Sequence, residues 1–227
     1  MSLLPLSFHA LPDHCKAVLY VLVTSFPGKG KTALIKLLRT MEIRHDNGRL
    51  LDASNLPASL EWLQSLGWVE VEQRNEGIYF CVTAQCRSNV LLSLLGTAEG
   101  TLCLHQIQAS LPELGQWQTP GKPRVLQELW LRLLSGDSQR LPESLYLLYR
   151  LCPVSEWHAQ HPMQLLQYDA TGREVIGQLD ETVRRLLIED HLRLNNDLLG
   201  PAAESYALAK QEMALRPGPS LCLQLIQ

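Results

Sequence analysis

Residues 55–82, NLPASLEWLQSLGWVEVEQRNEGIYFCV, change period part-way through, and that change decides the fold. Leu56, Leu60, Leu63 and Leu66 recur at the spacing of one helical face, after Asn55 and with Pro57 tolerated in the first turn. Gly67 then closes the helix, as a left-handed cap residue does. Beyond it Val69 and Val71 alternate with Glu70 and Glu72, and Ile78, Phe80 and Val82 alternate with Tyr79 and Cys81. A period of two belongs to strands, and Arg74-Asn75-Glu76-Gly77 supplies the turn of a hairpin.

Two further helices are expected upstream. Asp13 can cap the first, whose apolar residues are Val18, Leu19, Leu22, Val23 and Phe26, although the Val and Tyr content also permits a buried strand. Pro27-Gly28 ends it. Thr32 starts the second, with Leu34, Ile35, Leu37, Leu38 and Met41 facing inward, and the polar residues 44–49 read as a turn.

The order helix–helix–helix–hairpin resembles a winged helix, a module used mainly to bind DNA and secondarily to bind protein. In that family the third helix enters the major groove, and the wing or flanking turns contact phosphates. The resemblance makes Ser59, Glu61, Trp62, Gln64 and Ser65 the outward positions, with Ser59 and Gln64 able to pair with base edges. Lys29, Lys31, Lys36, Arg44, Arg49 and Arg74 would then meet the backbone. The chain departs from the pattern in one respect: its third helix carries Glu61 and no lysine or arginine. Residues 1–86 hold eight basic and eight acidic side chains, which cancel, so a protein-binding winged helix stands as the alternative.

At 227 residues the chain is long enough for two small domains, and an apolar share of 46% is that of a globular protein. A net charge of −3 gives no global attraction to nucleic acid, so contact would depend on a local patch. The six cysteines lie scattered in apolar segments with no Cys-x-x-Cys pair, which suits reduced thiols in a cytoplasmic chain. Val18–Val23, the longest apolar run, is too short to span a bilayer, so no membrane partner is expected.

Ser25-Phe-Pro-Gly-Lys-Gly-Lys-Thr32 comes one residue short of a phosphate-binding loop. Ser25 replaces the leading glycine, and no alternating strands and helices follow to build a parallel sheet. A turn and helix start is the expected role. Cys152, Glu156, His158 and His161 could offer metal ligands, but Pro153 and Pro162 interrupt them and a polar loop is expected instead. Trp117, Trp130 and Trp157 could stack bases, yet leucines surround them, which favours packing. No catalytic constellation, metal or cofactor is expected.

Residues 87–227 read as an irregular, solenoid-like helical array after a winged-helix domain at 1–86, giving a mainly α protein. Helical patches fall near 88–95, 101–111, 122–135, 142–151, 174–198 and 201–215. The whole chain is similar to the N-terminal regions of some large bacterial Swi/Snf-type helicases, through Asp46-Asn-Gly-Arg-Leu-Leu-Asp52, Arg132-Leu-Leu-Ser-Gly-Asp137 and His161-Pro162. That resemblance implies a non-catalytic accessory region whose motor lies beyond Gln227, and the expected partners are DNA and either a protein or the remainder of a larger polypeptide.

Overall fold

The computed structural model describes residues 7–74, 77–113, 119–198 and 203–215. The chain divides into two compact units, Met1–Thr119 and Pro120–Gln227.

The first unit opens with a short 3-10 turn, Phe8–Ala10, and helix α1, Asp13–Thr24. Strand β1 (Lys29–Gly30), α2 (Lys31–Thr40) and α3 (Leu56–Ser65) follow, then β2 (Val69–Arg74) and β3 (Gly77–Val82). The sheet is antiparallel in the order β1-β3-β2, with Val69 opposite Val82 and Arg74 opposite Gly77. The expected order of three helices and a hairpin is present, with the hairpin widened into a small three-stranded wing by β1. Helix α1 is apolar nearly all round because it is enclosed by its neighbours: Val18, Leu19, Tyr20 and Val21 are all at most 1% exposed. Its last carbonyls are met locally, since Thr24 Oγ1 donates to Tyr20 O and Ser25 Oγ donates to Val21 O. The strand that the valines also permitted does not form.

Strand β1 was not anticipated. Two residues carry no period, so only their pairing with β3, Lys29 to Phe80 and Gly30 to Tyr79, reveals them. Gly28 explains the glycine before them. At φ +150° it lies so close to β3 that an added Cβ would stand 2.4 Å from Cys81 Sγ and 2.9 Å from Phe80 O.

The stretch Asp46–Asp52 is also structural. His14 Nδ1 lies 3.0 Å from Asp46 Oδ1. The Asp52 amide donates to Asn55 Oδ1, and Asn55 Nδ2 donates to Leu50 O, which fixes the chain as it enters α3.

The first unit does not close at residue 86. Helices α4 (Ala84–Gly96) and α5 (Ala98–Ala109) pack on α1, burying Val90, Leu91, Leu94, Leu104 and Ile107. Tyr20 Oη and Ser93 Oγ, 2.9 Å apart, add a polar tie. The apolar faces of α4 and α5 are part of the first unit's own core, so the boundary moves to Thr119. Among the described residues no single helix is long and apolar enough to cross a membrane; the α4–α5 pair is bent by 96°.

The second unit is a helical array: α6 (Lys122–Ser135), α7 (Leu141–Leu151), α8 (Val154–Gln160), α9 (Pro162–Leu166), α10 (Ala170–Gln178), α11 (Glu181–Leu198) and α12 (Ala203–Leu215). Helices α6 and α7 form a hairpin closed by Gly136 in the left-handed conformation (φ 74°). Arg132 holds that corner by donating to Arg140 O and Ser144 Oγ, both at 2.7 Å. Two expectations need correction. The span 174–198 is not one helix: it breaks after Gln178, and Asp180 Oδ1 accepts from the Thr182 and Val183 amides to start α11. The stretch around Pro153 and Pro162 is not a loop, because each proline sits at a helix start, where its missing N–H costs nothing. Trp130 and Trp157 are fully buried in this core, and Trp117 lies outside the described residues.

Candidate nucleic-acid interface

Helix α2 is the most one-sidedly charged helix of the first unit. Its sequence, KTALIKLLRT, buries Leu34, Leu37 and Leu38 and turns Lys31, Thr32, Lys36 and Arg39 to solvent. It bears no carboxylate, and Lys31, Lys36 and Arg39 form no ion pair among the described residues. Arg39 was missed in the sequence, although its spacing of three from Lys36 puts both on one face. Arg39 acts weakly on Asp52, whose carboxyl is held below its usual range first by hydrogen bonds from Ser54.

The placement of Lys31 runs against the helix's own electrostatics. The first turn of a helix favours anions by about 0.3–1 kcal/mol and disfavours cations correspondingly. Lys31 is the first residue of α2, and the preceding Gly30 offers no side-chain cap. At the other end, the turn carrying Arg44 and Arg49 is tied back to α2 by the Ile43 amide donating to Leu38 O, and it is closed on itself by the bridge of Arg44 to Leu50. Arg49 is exposed, whereas Arg44 is partly committed, donating from Nη1 to Gly48 O at 2.9 Å. A ten-residue helix spans about 15 Å, roughly four phosphate spacings along one strand.

The other expected residues are placed differently. Ser59 is not an outward position: it is 5% exposed, and its Oγ is buried without a hydrogen-bond partner, because it falls on the inner face with Leu56, Leu60 and Leu63. It cannot reach a base edge. Gln64 is exposed, beside Glu61, Ser65 and a Trp62 that is 38% exposed. Lys29 is half-buried, with Nζ 3.4 Å from Ser25 Oγ. Arg74 is spent inside the fold. It pairs with Glu72, donates to Pro27 O at 3.1 Å and lies 4.6 Å over the Tyr79 ring.

The near-miss phosphate loop lies at the start of this helix. What precedes it is α1, where a nucleotide-binding loop follows a strand of a parallel sheet. Gly28 opens space for β3, and Thr32 is a solvent-facing first-turn residue.

In the second unit the candidate metal ligands go to separate partners. Cys152 Sγ donates to Leu148 O, Glu156 pairs with Lys122, and His158 Nε2 lies 2.9 Å from Asn195 Oδ1. His161 Nδ1 accepts from the Met163 amide, and its Nε2 stands 3.5 Å from Asp190 Oδ2. The rings of His158 and His161 each stack on His191, at 5.4 and 4.8 Å, a geometry that turns their nitrogens away from a common point. Among the described residues no group of three or more His, Cys, Asp or Glu side chains could hold a metal ion.

Burial, reinforced by the two neighbouring imidazoles, pushes His191 down to about 2. Burial also lowers His161, against the pull of Asp190. For Asp190 burial acts upward, but the contacts with His161 and Arg193 outweigh it and leave the carboxyl below its usual range. Asp190 Oδ1 accepts from Arg193 at 2.6 Å and from Tyr149 Oη at 3.3 Å. Burial pushes the thiols of Cys15 and Cys103 up to about 12 and that of Cys81 to about 11, so each stays protonated and a poor nucleophile at neutral pH.

No protein-family model matches the chain, and neither a characterised protein nor a solved structure does.

Proposed function

We propose that the chain is a cytoplasmic, non-catalytic accessory region that contacts the nucleic-acid backbone through its winged helix, as part of a larger DNA-acting motor such as a helicase. The observation that carries the reading is the exposed face of α2, where Lys31, Lys36 and Arg39 stand without a carboxylate on the helix. Clustered like charges repel one another and gain only when an anion arrives. Contact of this kind is independent of base sequence: α3 offers Gln64 and Glu61, and Ser59 is withdrawn into the core. The motor assignment is supported by the resemblance of the chain to helicase N-terminal regions.

The test is duplex DNA binding by the full chain over a range of salt, beside a Lys31→Gln/Lys36→Gln/Arg39→Gln variant. Each lost phosphate contact lowers the slope of log K against log salt by about 0.9, so the triple variant is expected to flatten it by about 2–3. Absence of binding at low salt, or binding indifferent to the three substitutions, rules the reading out. The non-catalytic part is checked separately: millimolar nucleotide with magnesium is expected to leave the melting temperature unchanged.

A second reading, a protein-docking scaffold, is favoured by one specific observation. Trp62, Val71 and Ile78 are 38%, 40% and 52% exposed on α3 and the wing.

A further inference from the structure

We propose that the open edge of β2 docks an extended segment of a partner protein in which basic and apolar residues alternate. The proposal rests on the docking reading and not on the basic face of α2.

Among the described residues β2 pairs on one side only, with β3. The Thr83 amide donates to Trp68 O at 3.0 Å, and this fixes the phase of the ladder. Hydrogen-bonded pairs in an antiparallel ladder recur at every second residue, so Glu70–Cys81 and Glu72–Tyr79 are the bonded pairs. Val69, Val71 and Gln73 therefore direct their N–H and C=O groups away from β3, at the free edge. Those of Val71 and Gln73 belong to exposed residues and are a template for another strand.

The side chains say which strand. Val71 stands opposite Phe80 and diagonal to Ile78 on one face of the hairpin, so the exposed apolar atoms form a continuous strip beside the edge. Glu70 and Glu72 project from the other face. Glu72 is matched by Arg74, and Arg87 lies nearby over the Phe26 ring, but Glu70 is exposed and forms no ion pair among the described residues.

An incoming strand of alternating character lays its apolar residues on Val71 and Ile78 and sets a lysine or arginine opposite Glu70. A second copy of this chain fits badly. Antiparallel pairing centred on Val71 sets Glu70 against Glu72 twice, and in-register parallel pairing sets each glutamate against itself. Nucleic acid is disfavoured by the same carboxylates.

The experiment titrates the full chain with a synthetic peptide of alternating lysine and valine and follows amide hydrogen exchange residue by residue. The expected result is that exchange at Val71 and Gln73 slows by about tenfold or more at saturation, with the α2 amides unchanged. A glutamate–valine peptide has no such effect. Val71→Pro removes an outward N–H and is expected to abolish the protection while sparing the ladder to β3. Glu70→Lys, which leaves the backbone untouched, is expected to weaken the basic peptide and admit the acidic one. The proposal is overturned if neither peptide slows exchange at Val71 and Gln73, if both do so equally, or if Glu70→Lys changes nothing. Duplex DNA perturbing α2 alone would leave the phosphate reading standing when this one fails.

Discussion

Helix α2 and the junction of α8, α9 and α11 each gather several ionisable side chains, and they treat them in opposite ways. On α2, Lys31, Lys36 and Arg39 share one sign, face solvent and are matched by no carboxylate on their own helix. At the junction, His158, His161, His191, Asp190 and Arg193 answer one another, with Asp190 at its centre only 6% exposed. A buried set has to close on itself, because an unmatched charge in a low-dielectric core is too costly to keep. An exposed set has no such obligation. Water and salt screen its charges, so it can stay unmatched on the surface. Ion clusters thus sort into scaffold and surface by burial before any sequence comparison.

The contrast can be broken at several points. The largest effect is expected from Asp190→Ala, which removes the buried carboxylate that Tyr149, His161 and Arg193 share. A loss of about 3 kcal/mol or more in unfolding free energy is expected by urea denaturation. A change below 1 kcal/mol would mean that the junction does not depend on its internal pairing.

Gly28→Ala comes next. Its φ of +150° and the 2.4 Å and 2.9 Å approaches to Cys81 Sγ and Phe80 O leave no room for a methyl group. A destabilisation of about 2 kcal/mol is expected, while Lys31→Gln in the same segment should leave stability within about 0.5 kcal/mol. Equal effects of the two would show that this segment is not divided between packing and surface.

The pH dependence sharpens the comparison further. His161 and His191 have folded-state pKa values below the ordinary 6.5, so between those values the unfolded chain binds more protons than the folded one. Stability is therefore complete above pH 6.5 and is lost as the pH falls below it, by up to about 1.4 kcal/mol per pH unit for each group. The lowered Asp190 carboxyl adds a loss of the same sign at lower pH. His191→Gln should flatten the acid limb of the stability profile measured by circular dichroism, and an unaltered limb would remove His191 as a cause.

The smallest effect belongs to Ser59→Ala. Its buried Oγ has no partner to lose, so a change within about 0.5 kcal/mol, neutral or stabilising, is expected. DNA affinity should not move. A loss of binding would return Ser59 to the interface.

The three helices ahead of the hairpin were legible because apolar residues recur along each, and the hairpin because Val69, Glu70, Val71 and Glu72 alternate before a turn and a second β-rich run. What escaped was whatever depends on a partner distant in sequence. Strand β1 exists only as Lys29 and Gly30 beside Phe80 and Tyr79. The breaks at Pro153, Pro162 and Asp180 sort a continuous helical signal into short pieces that only packing distinguishes. At the candidate site, Lys31, Lys36, Arg49 and Gln64 could be read as exposed, but Arg74 could not be seen to bind Glu72 and Pro27 O. Ser59 stands three residues after Leu56 and one before Leu60, so helical geometry puts it on the inner face.

Local periodicity and cap chemistry, which act within a few residues, set the helix–helix–helix–hairpin order, and composition alone leaves α2 without a carboxylate. The tertiary structure alone decided that α4 and α5 complete the first unit's core, that Gly28 makes room for β3, and that the three histidines meet. Each of those depends on surfaces brought together across tens of residues, where the free energy comes from burial and no short stretch of sequence records which faces will touch.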